Sequence, residues 1–305
     1  MRFSIVAVAL TAASAVSAAP AKRQAADIDT VILQYALTLE HLEDAFYKKA
    51  LSEWDLKSFT DAGFSEKFYD DLKFIAHDEE GHVTYLKAGL TAAGATPVAA
   101  CEYKFPMTDP QSFAALASVI EGVGVSAYLG GAPIVTSKAY LTVAGAILVT
   151  EALHQSQQRA AIGETPAANV FGTPLGFNAV YSIASAFIVS CPSTNAALPF
   201  MAYPALTVTS GLPTAPGALV NLVPDEMPSG TFFATFVSGL SITAVTPTSV
   251  EGGMIMAEVP MMIEGQSYAF LTKDKSGNLT DSNIIAGPVI LEVTPQSPTF
   301  TLTIL

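Results

Sequence analysis

Residues 77–86 read HDEEGHVTYL and residues 149–157 read VTEALHQSQ. Each stretch contains Glu-x-x-His: Glu79 with His82, and Glu151 with His154. Both lie in long apolar-periodic segments that predict helix. Residues three apart on an α-helix stand about 60° apart around its axis, so each pair presents a carboxylate and an imidazole on one face. Two further helical stretches each offer one inward glutamate, Glu40 in LTLEHLEDAFY (37–47) and Glu121 in SVIEGVGVSAYLG (118–130). One glutamate from each of two helices, with Glu-x-x-His from each of two others, is the ligand set that di-iron and di-manganese bundles carry in their cores.

Electrostatics supports the same expectation. Buried carboxylates are costly unless paired or metal-bound. After Glu121 the next lysine or arginine in sequence is Lys138, and after Glu151 it is Arg159. Metal is the simplest compensation, and the reading is two Fe or Mn ions. Residue types alone leave the choice between them open, because selectivity follows supply and geometry.

The chain has 305 residues, half of them hydrophobic, enough for one large core or two medium ones. Its formal net charge of −13 argues against a nucleic-acid partner and suits the attraction of cations. The start, MRFSIVAVALTAASAVSAAP, reads as a secretory signal over residues 1–19. Lys22-Arg23 then reads as a dibasic cut ending a short propeptide, 20–23. No later apolar run is expected to reach the ~18 residues of a membrane span. The expected product is secreted and extracellular. In that compartment the two cysteines, Cys101 and Cys191, read as one disulfide. Asn278-Leu279-Thr280 is an N-glycosylation sequon in a polar turn.

Composition changes near residue 200. Upstream are long periodic segments and all four histidines; downstream are short alternating runs between Gly, Pro, Thr and Ser turns. The expected fold is α+β and multidomain, with a helical bundle over 24–195 followed by a β-sandwich over 196–305. Helices are expected over 27–51, 65–93, from 110 to about 130, and 137–162, with a short fifth over 179–189. The longest connection falls between the second and third helices and holds Cys101. Strand candidates are ALTVTS, FFATFVS, SITAVTP, GMIMAEVPMMIE, SYAFLTK, PVILEVTP and FTLTIL. Met254, Met256, Met261 and Met262, spaced at or near a strand's period, read as core filling. Tyr47 follows Glu40, and Tyr128 follows Glu121, both at i+7, an internal echo of two related hairpins.

LTLEHLEDAFY, HDEEGHVTYL, SVIEGVGVSAYLG and VTEALHQSQQR together resemble the ferritin-like family, in its secreted fungal stress-response and late-sexual-development branch. The same region, about 27–191, is similar to plant desiccation-related ferritin-like proteins. The resemblance implies a bundle with a buried dinuclear centre whose ligands are Glu40, Glu79, His82, Glu121, Glu151 and His154. It makes Tyr47 a near-site tyrosine. Glu43 is an alternative to Glu40, and Glu80 to Glu79. Otherwise Glu43, Asp78 and Glu80 read as solvated helix charges, and His41 and His77 as ordinary histidines. Gly122 and Gly124 depart from good helix composition beside Glu121.

Two functions stay open at this stage. One is a metalloprotein handling oxygen or peroxide, with Tyr47 or Tyr128 as relays. The other is a non-enzymatic secreted stress, cell-wall or host-interface protein, whose bundle is a scaffold and whose sandwich binds a cell-wall or protein partner. No nucleophile elbow, phosphate loop or redox dithiol offers a third.

Overall fold

The computed structural model describes residues 27–295. The expected leader and dibasic site, and the expected strand FTLTIL, lie outside the described residues. Within them the first half is helical: α1 (Ile28–Glu53), α2 (Leu56–Asp61), α3 (Glu66–Ala92), α4 (Pro110–Gly131), α5 (Lys138–Ala161) and α6 (Phe177–Ser185). Local chemistry sets the starts. The Ser65 side chain accepts from the Phe68 N–H and Ser137 from that of Tyr140. Asp109 forms a capping box with Ser112, ahead of Pro110 at the first helical position. Each cap satisfies a donor that the helix itself leaves free.

Asp29 has a different task from capping its own helix. Its buried carboxylate accepts from Thr136 N, Thr136 Oγ1 and Ser137 N at 2.7–2.8 Å, tying the start of α1 to the start of α5. Burial pushes its pKa up, but these hydrogen bonds outweigh burial and leave the group lowered.

The helix α1 packs along α3, and α4 along α5, giving two hairpins joined by the crossover 93–109. The link between α1 and α3, expected to be loop, contains α2, capped by Asp55. The fifth expected helix ends earlier than its sequence suggested. α6 stops at Ser185, and β2 (Ile188–Ser190) pairs antiparallel with β1 (Glu102–Tyr103). Cys101 and Cys191 are disulfide-bonded beside this ribbon, so the crossover is stapled to the segment after α6. One helix among the described residues, α4, is long and apolar enough to cross a membrane by length and composition alone, but 72% of its apolar window is buried inside the protein, which is consistent with the expectation of no membrane span.

Two four-stranded antiparallel sheets follow. One has the order β10-β9-β5-β6, formed by β5 (Phe233–Ser238), β6 (Ser241–Val245), β9 (Gly265–Thr272) and β10 (Ile284–Val293). The other has the order β3-β4-β8-β7, formed by β3 (Leu206–Val208), β4 (Leu219–Pro224), β7 (Ser249–Glu251) and β8 (Met254–Glu258). Strands β4 and β7 were not among the expected ones. Leu222, Phe236, Ile255, Leu271 and Val293 fill the space between the sheets. Met261 and Met262 lie beyond β8 and are 59% and 74% exposed, while Met254 and Met256 are only half-buried, so the methionines are not the core filling expected of them.

Burial distinguishes the two sheets. β4 and β8 alternate buried and half-buried residues, as a sheet with one wet face does. β5 and β9 are buried almost continuously. Their sheet is a middle layer. Ala269 and Leu271 face the sandwich core, whereas Tyr268 and Phe270 join Val237 and Ile284 in the core of the bundle.

Candidate metal centre

The four long helices bring all six expected residues to one interior point. Glu40, Glu79, Glu121 and Glu151 are completely buried, and His154 is 5% exposed. The His82 side chain is 13% exposed and marks where the site approaches the surface. Ligand atoms form two groups. Those of Glu40, Glu79, His82 and Glu151 lie within 4.8 Å of one another, and so do those of Glu79, Glu121, Glu151 and His154. Glu79 and Glu151 belong to both. His82 Nδ1 lies 3.1 Å from Glu40 Oε2, 3.2 Å from Glu79 Oε2 and 3.3 Å from Glu151 Oε1. His154 Nδ1 lies 2.9 Å from Glu79 Oε1 and 3.4 Å from Glu121 Oε2.

Several of these contacts are close without being hydrogen bonds. Glu79 Oε1 and His154 Nδ1 both lack a hydrogen-bond partner despite their proximity. Glu121 Oε2 and both oxygens of Glu151 are unpartnered as well. Native proteins rarely leave buried polar atoms unsatisfied. Here the unsatisfied atoms of Glu79, Glu121, Glu151 and His154 belong to a group that offers ligand atoms within 4.8 Å of one another, and a cation among them would satisfy them. Carboxylate oxygen with imidazole nitrogen is a donor set that suits iron or manganese. Among the described residues no lysine or arginine forms an ion pair with any of these four glutamates.

The electrostatics reflects crowding of like charge. Burial, then the Glu151 charge, pushes Glu79 up to about 7. Burial and neighbouring carboxylates likewise raise Glu151 and Glu121, the former well above the ordinary range. Burial disfavours the imidazolium of His154, yet Glu121 and Glu79 outweigh it and raise that group to about 11. His82, facing three carboxylates, is also raised.

Tyrosines cross between the hairpins. Tyr47 on α1 donates to Glu121 on α4, and Tyr128 on α4 donates to Glu40 on α1. The i+7 echo in sequence thus becomes a reciprocal exchange in space.

Sequence reasoning left two acids outside its ligand set. Glu43, offered only as an alternative to Glu40 and otherwise read as a solvated charge, is buried, and its Oε2 has no partner. It stands three residues after Glu40, hence on nearly the same face, and that spacing was the available signal. Room for it comes from Gly124, where a β-carbon would lie 2.9 Å from Glu43 Oε1 and 2.7 Å from Glu151 Oε2. Gly122 likewise leaves space for the amides of Gln155 and Gln266. Each glycine costs the helix about 1 kcal/mol relative to alanine, and the site uses the vacated volume. Asp78, also read as solvated, has its Oδ2 3.3 Å from His154 Nε2. Glu80 does turn outward, 3.5 Å from Lys48, so Glu79 is the inward member of that pair. His41 is buried against the Val98 carbonyl, and His77 is exposed.

Residues 28–164, which hold α1 to α5 and the buried carboxylate–histidine cluster, match the family model described as a ferritin-like domain. The chain is similar to Protein rds1 of Schizosaccharomyces pombe, 25% identical over 253 residues, which is 82% of this chain and 61% of that protein. It therefore spans about three-fifths of that relative's length. Among solved structures, a conserved hypothetical protein, rv2844, from Mycobacterium tuberculosis covers 47% of this chain and 96% of its own, at 19% identity and a TM-score of 0.38.

Proposed function

We propose that the bundle binds two divalent ions, Fe or Mn, and serves as an oxygen- or peroxide-handling redox protein outside the cell. One observation carries this reading: Glu40, Glu43, Glu79, Glu121 and Glu151 are buried together with His154 beside the half-buried His82, and several of the carboxylate oxygens have no partner. In this reading Glu40, Glu79, His82 and Glu151 would hold one ion, and Glu79, Glu121, Glu151 and His154 would hold the other. An Fe or Mn pair, when bound, would supply electron exchange with oxygen or peroxide.

The chain's own residues orient ligands and hold protons. Burial and the adjacent carboxylates push the phenol pKa values of Tyr47 and Tyr128 well up, so both remain donors. Each phenol fixes one terminal glutamate and keeps a proton one hydrogen bond from the centre. Half-buried His82 leaves a side on which small polar reactants can approach.

Secretion is part of the proposal, supported by a disulfide of the kind that persists in oxidising compartments. Asn278 is exposed, as a glycan acceptor must be. The division into 24–195 and 196–305 is supported by β2 ending at Ser190 and β3 beginning at Leu206. A role in stress or development follows the family resemblance.

The test is elemental analysis of full-length protein made through a secretory route without chelators. The expected content is about two Fe or Mn per chain. Glu79→Ala with His82→Ala should abolish it. Less than about a tenth of an equivalent after metal reconstitution would sink the metalloprotein reading and leave the bundle as a scaffold.

A further inference from the structure

The β-sandwich reaches one half of the centre and not the other. On β9, Gln266 and Tyr268 face the bundle. Gln266 Nε2 donates to the Val119 carbonyl of α4 at 3.0 Å and to the Tyr268 hydroxyl at 3.1 Å. Its Oε1 accepts from Gln155 Nε2 of α5 at 3.0 Å. The Tyr268 hydroxyl donates to the Gly122 carbonyl at 3.2 Å and lies 2.8 Å from Ser126 Oγ. Tyr268 and Ser126 are buried.

These contacts bracket two ligands. Val119 and Gly122 flank Glu121 in sequence, and Gln155 follows His154. Glu121 and His154 belong to the same group of ligand atoms. Gly122 and Gly124 lower the helix propensity of α4 here, although the helix runs unbroken from Pro110 to Gly131, and its carbonyls carry spare lone pairs that β9 occupies. The other group is held differently. α1 is pinned by the crossover, with Gln34 exchanging hydrogen bonds with Thr96 O and Val98 N at 2.7 and 2.9 Å.

We propose that the sandwich is a splint for one metal position, with Gln266 and Tyr268 as positioning residues for Glu121 and His154. The proposal rests on the metal reading above for its affinity consequence. Its mechanical content, that β9 holds the glycine-rich turn of α4, stands independently of metal.

The experiment uses the full chain, with Gln266→Met, which keeps volume and removes the amide, and Tyr268→Phe, which keeps the ring and removes the hydroxyl. In metal-free protein, amide hydrogen exchange over residues 122–127 should accelerate about tenfold in Gln266→Met, with residues 36–43 of α1 unchanged. Cobalt(II) titration should show two binding steps in the parent. One step should weaken about tenfold in Gln266→Met and less in Tyr268→Phe, while the other holds. Glu121→Ala should delete the step that moved, and Glu40→Ala the step that did not. Unchanged exchange in α4, or equal weakening of both steps, would overturn the splint. Absence of cobalt binding in the parent would instead reject the metal reading, and the exchange result would still decide whether β9 holds α4.

Discussion

The two helical hairpins supply matching ligands, a lone glutamate plus Glu-x-x-His, but are built on opposite principles. The first, α1 with α3, is stabilised along its length. Its outer face carries helical ion pairs such as Lys49–Glu53 and Lys67–Asp71, and the crossover buttresses its inner turn. The second, α4 with α5, has no such pairs among the described residues. α4 is glycine-rich and buried, while α5 exposes Val149 and Leu153. One hairpin is held by its own ion pairs and by the crossover, and the other by strand β9. The difference teaches that the internal echo preserves chemistry, whereas mechanical support was solved separately for each half.

The most severe way to break the symmetry of the ligands is to remove a shared one. Glu151 belongs to both ligand groups, whereas Glu40 and Glu121 each belong to one. Glu151→Ala is expected to lose both ions. Glu40→Ala and Glu121→Ala should each retain about one equivalent. Elemental analysis of the three variants decides the matter. If Glu40→Ala loses everything while Glu151→Ala keeps an ion, the sharing has been assigned to the wrong carboxylate.

Next in size is the staple behind the first hairpin. The disulfide closes a separation of 90 residues and anchors the crossover that pins α1. Cys101→Ser with Cys191→Ser should lower stability by up to about 4–5 kcal/mol on the chain-entropy account. Denaturant unfolding measures this. Hydrogen exchange should loosen first at α1 near Gln34, whose partners lie in that crossover, and not at Gly122.

Acidity gives a smaller effect with a clear sign. In metal-free protein Glu43, Glu79, Glu121 and Glu151 bind protons more tightly than their ordinary value of 4.5, and His82 and His154 more tightly than 6.5. The native state therefore holds more protons than the unfolded one. Its stability should fall as pH rises from 4.5 through about 7 for Glu79, and again from 6.5 towards about 11 for His154. Metal-loaded protein should behave oppositely, because acid competes for the ligands. Thermal melts between about pH 5 and 8, with and without metal, should cross. Groups whose pKa is lowered, such as Asp29 and Asp109, lose their contribution only at lower pH. Metal-free protein that gains stability across this window contradicts the proposed crowding. The halves differ here too: His82 faces three fully buried carboxylates, whereas His154 faces two and the partly exposed Asp78, so His154 should release its proton first.

What the sequence disclosed tracks the range of the interaction. Caps at Ser65, Asp109 and Ser137 are written within four residues, and helix starts followed from them. Glu-x-x-His is equally local, so four of the six candidate ligands could be named from it. Glu43 was placed only as an alternative to Glu40, because the room for it comes from Gly124, a residue on another helix. Gln266 escaped for the same reason, since its partners lie more than a hundred residues away. β4 escaped because it carries Asn221 and ends in Pro224, and its strand character comes from pairing on both sides with β3 and β8. The near-continuous apolar runs of β5 and β9 did contain their answer: a sheet apolar on both faces needs a layer on each side.

The finest distinction concerns how each imidazole is aimed. His154 turns Nδ1 to the centre and Nε2 towards Asp78, a residue of the opposite hairpin. A carboxylate behind a ligating histidine fixes its tautomer and raises its basicity, and losing such a partner typically costs about 10–100-fold in metal affinity. His82 also presents Nδ1 to the centre, but no described residue bonds its Nε2. Asp78→Asn should therefore weaken the position completed by Glu121 and His154 by about tenfold and leave the Glu40–His82 position unmoved. Because Asp78 is partly exposed and stands on α3 rather than α5, the variant should barely change stability. Stepwise cobalt(II) titration separates the two positions. Weakening of both would mean that Asp78 acts through the general acidity of the site; weakening of one would mean that the first hairpin steers the second one's histidine, just as the crossed tyrosines steer each other's glutamates.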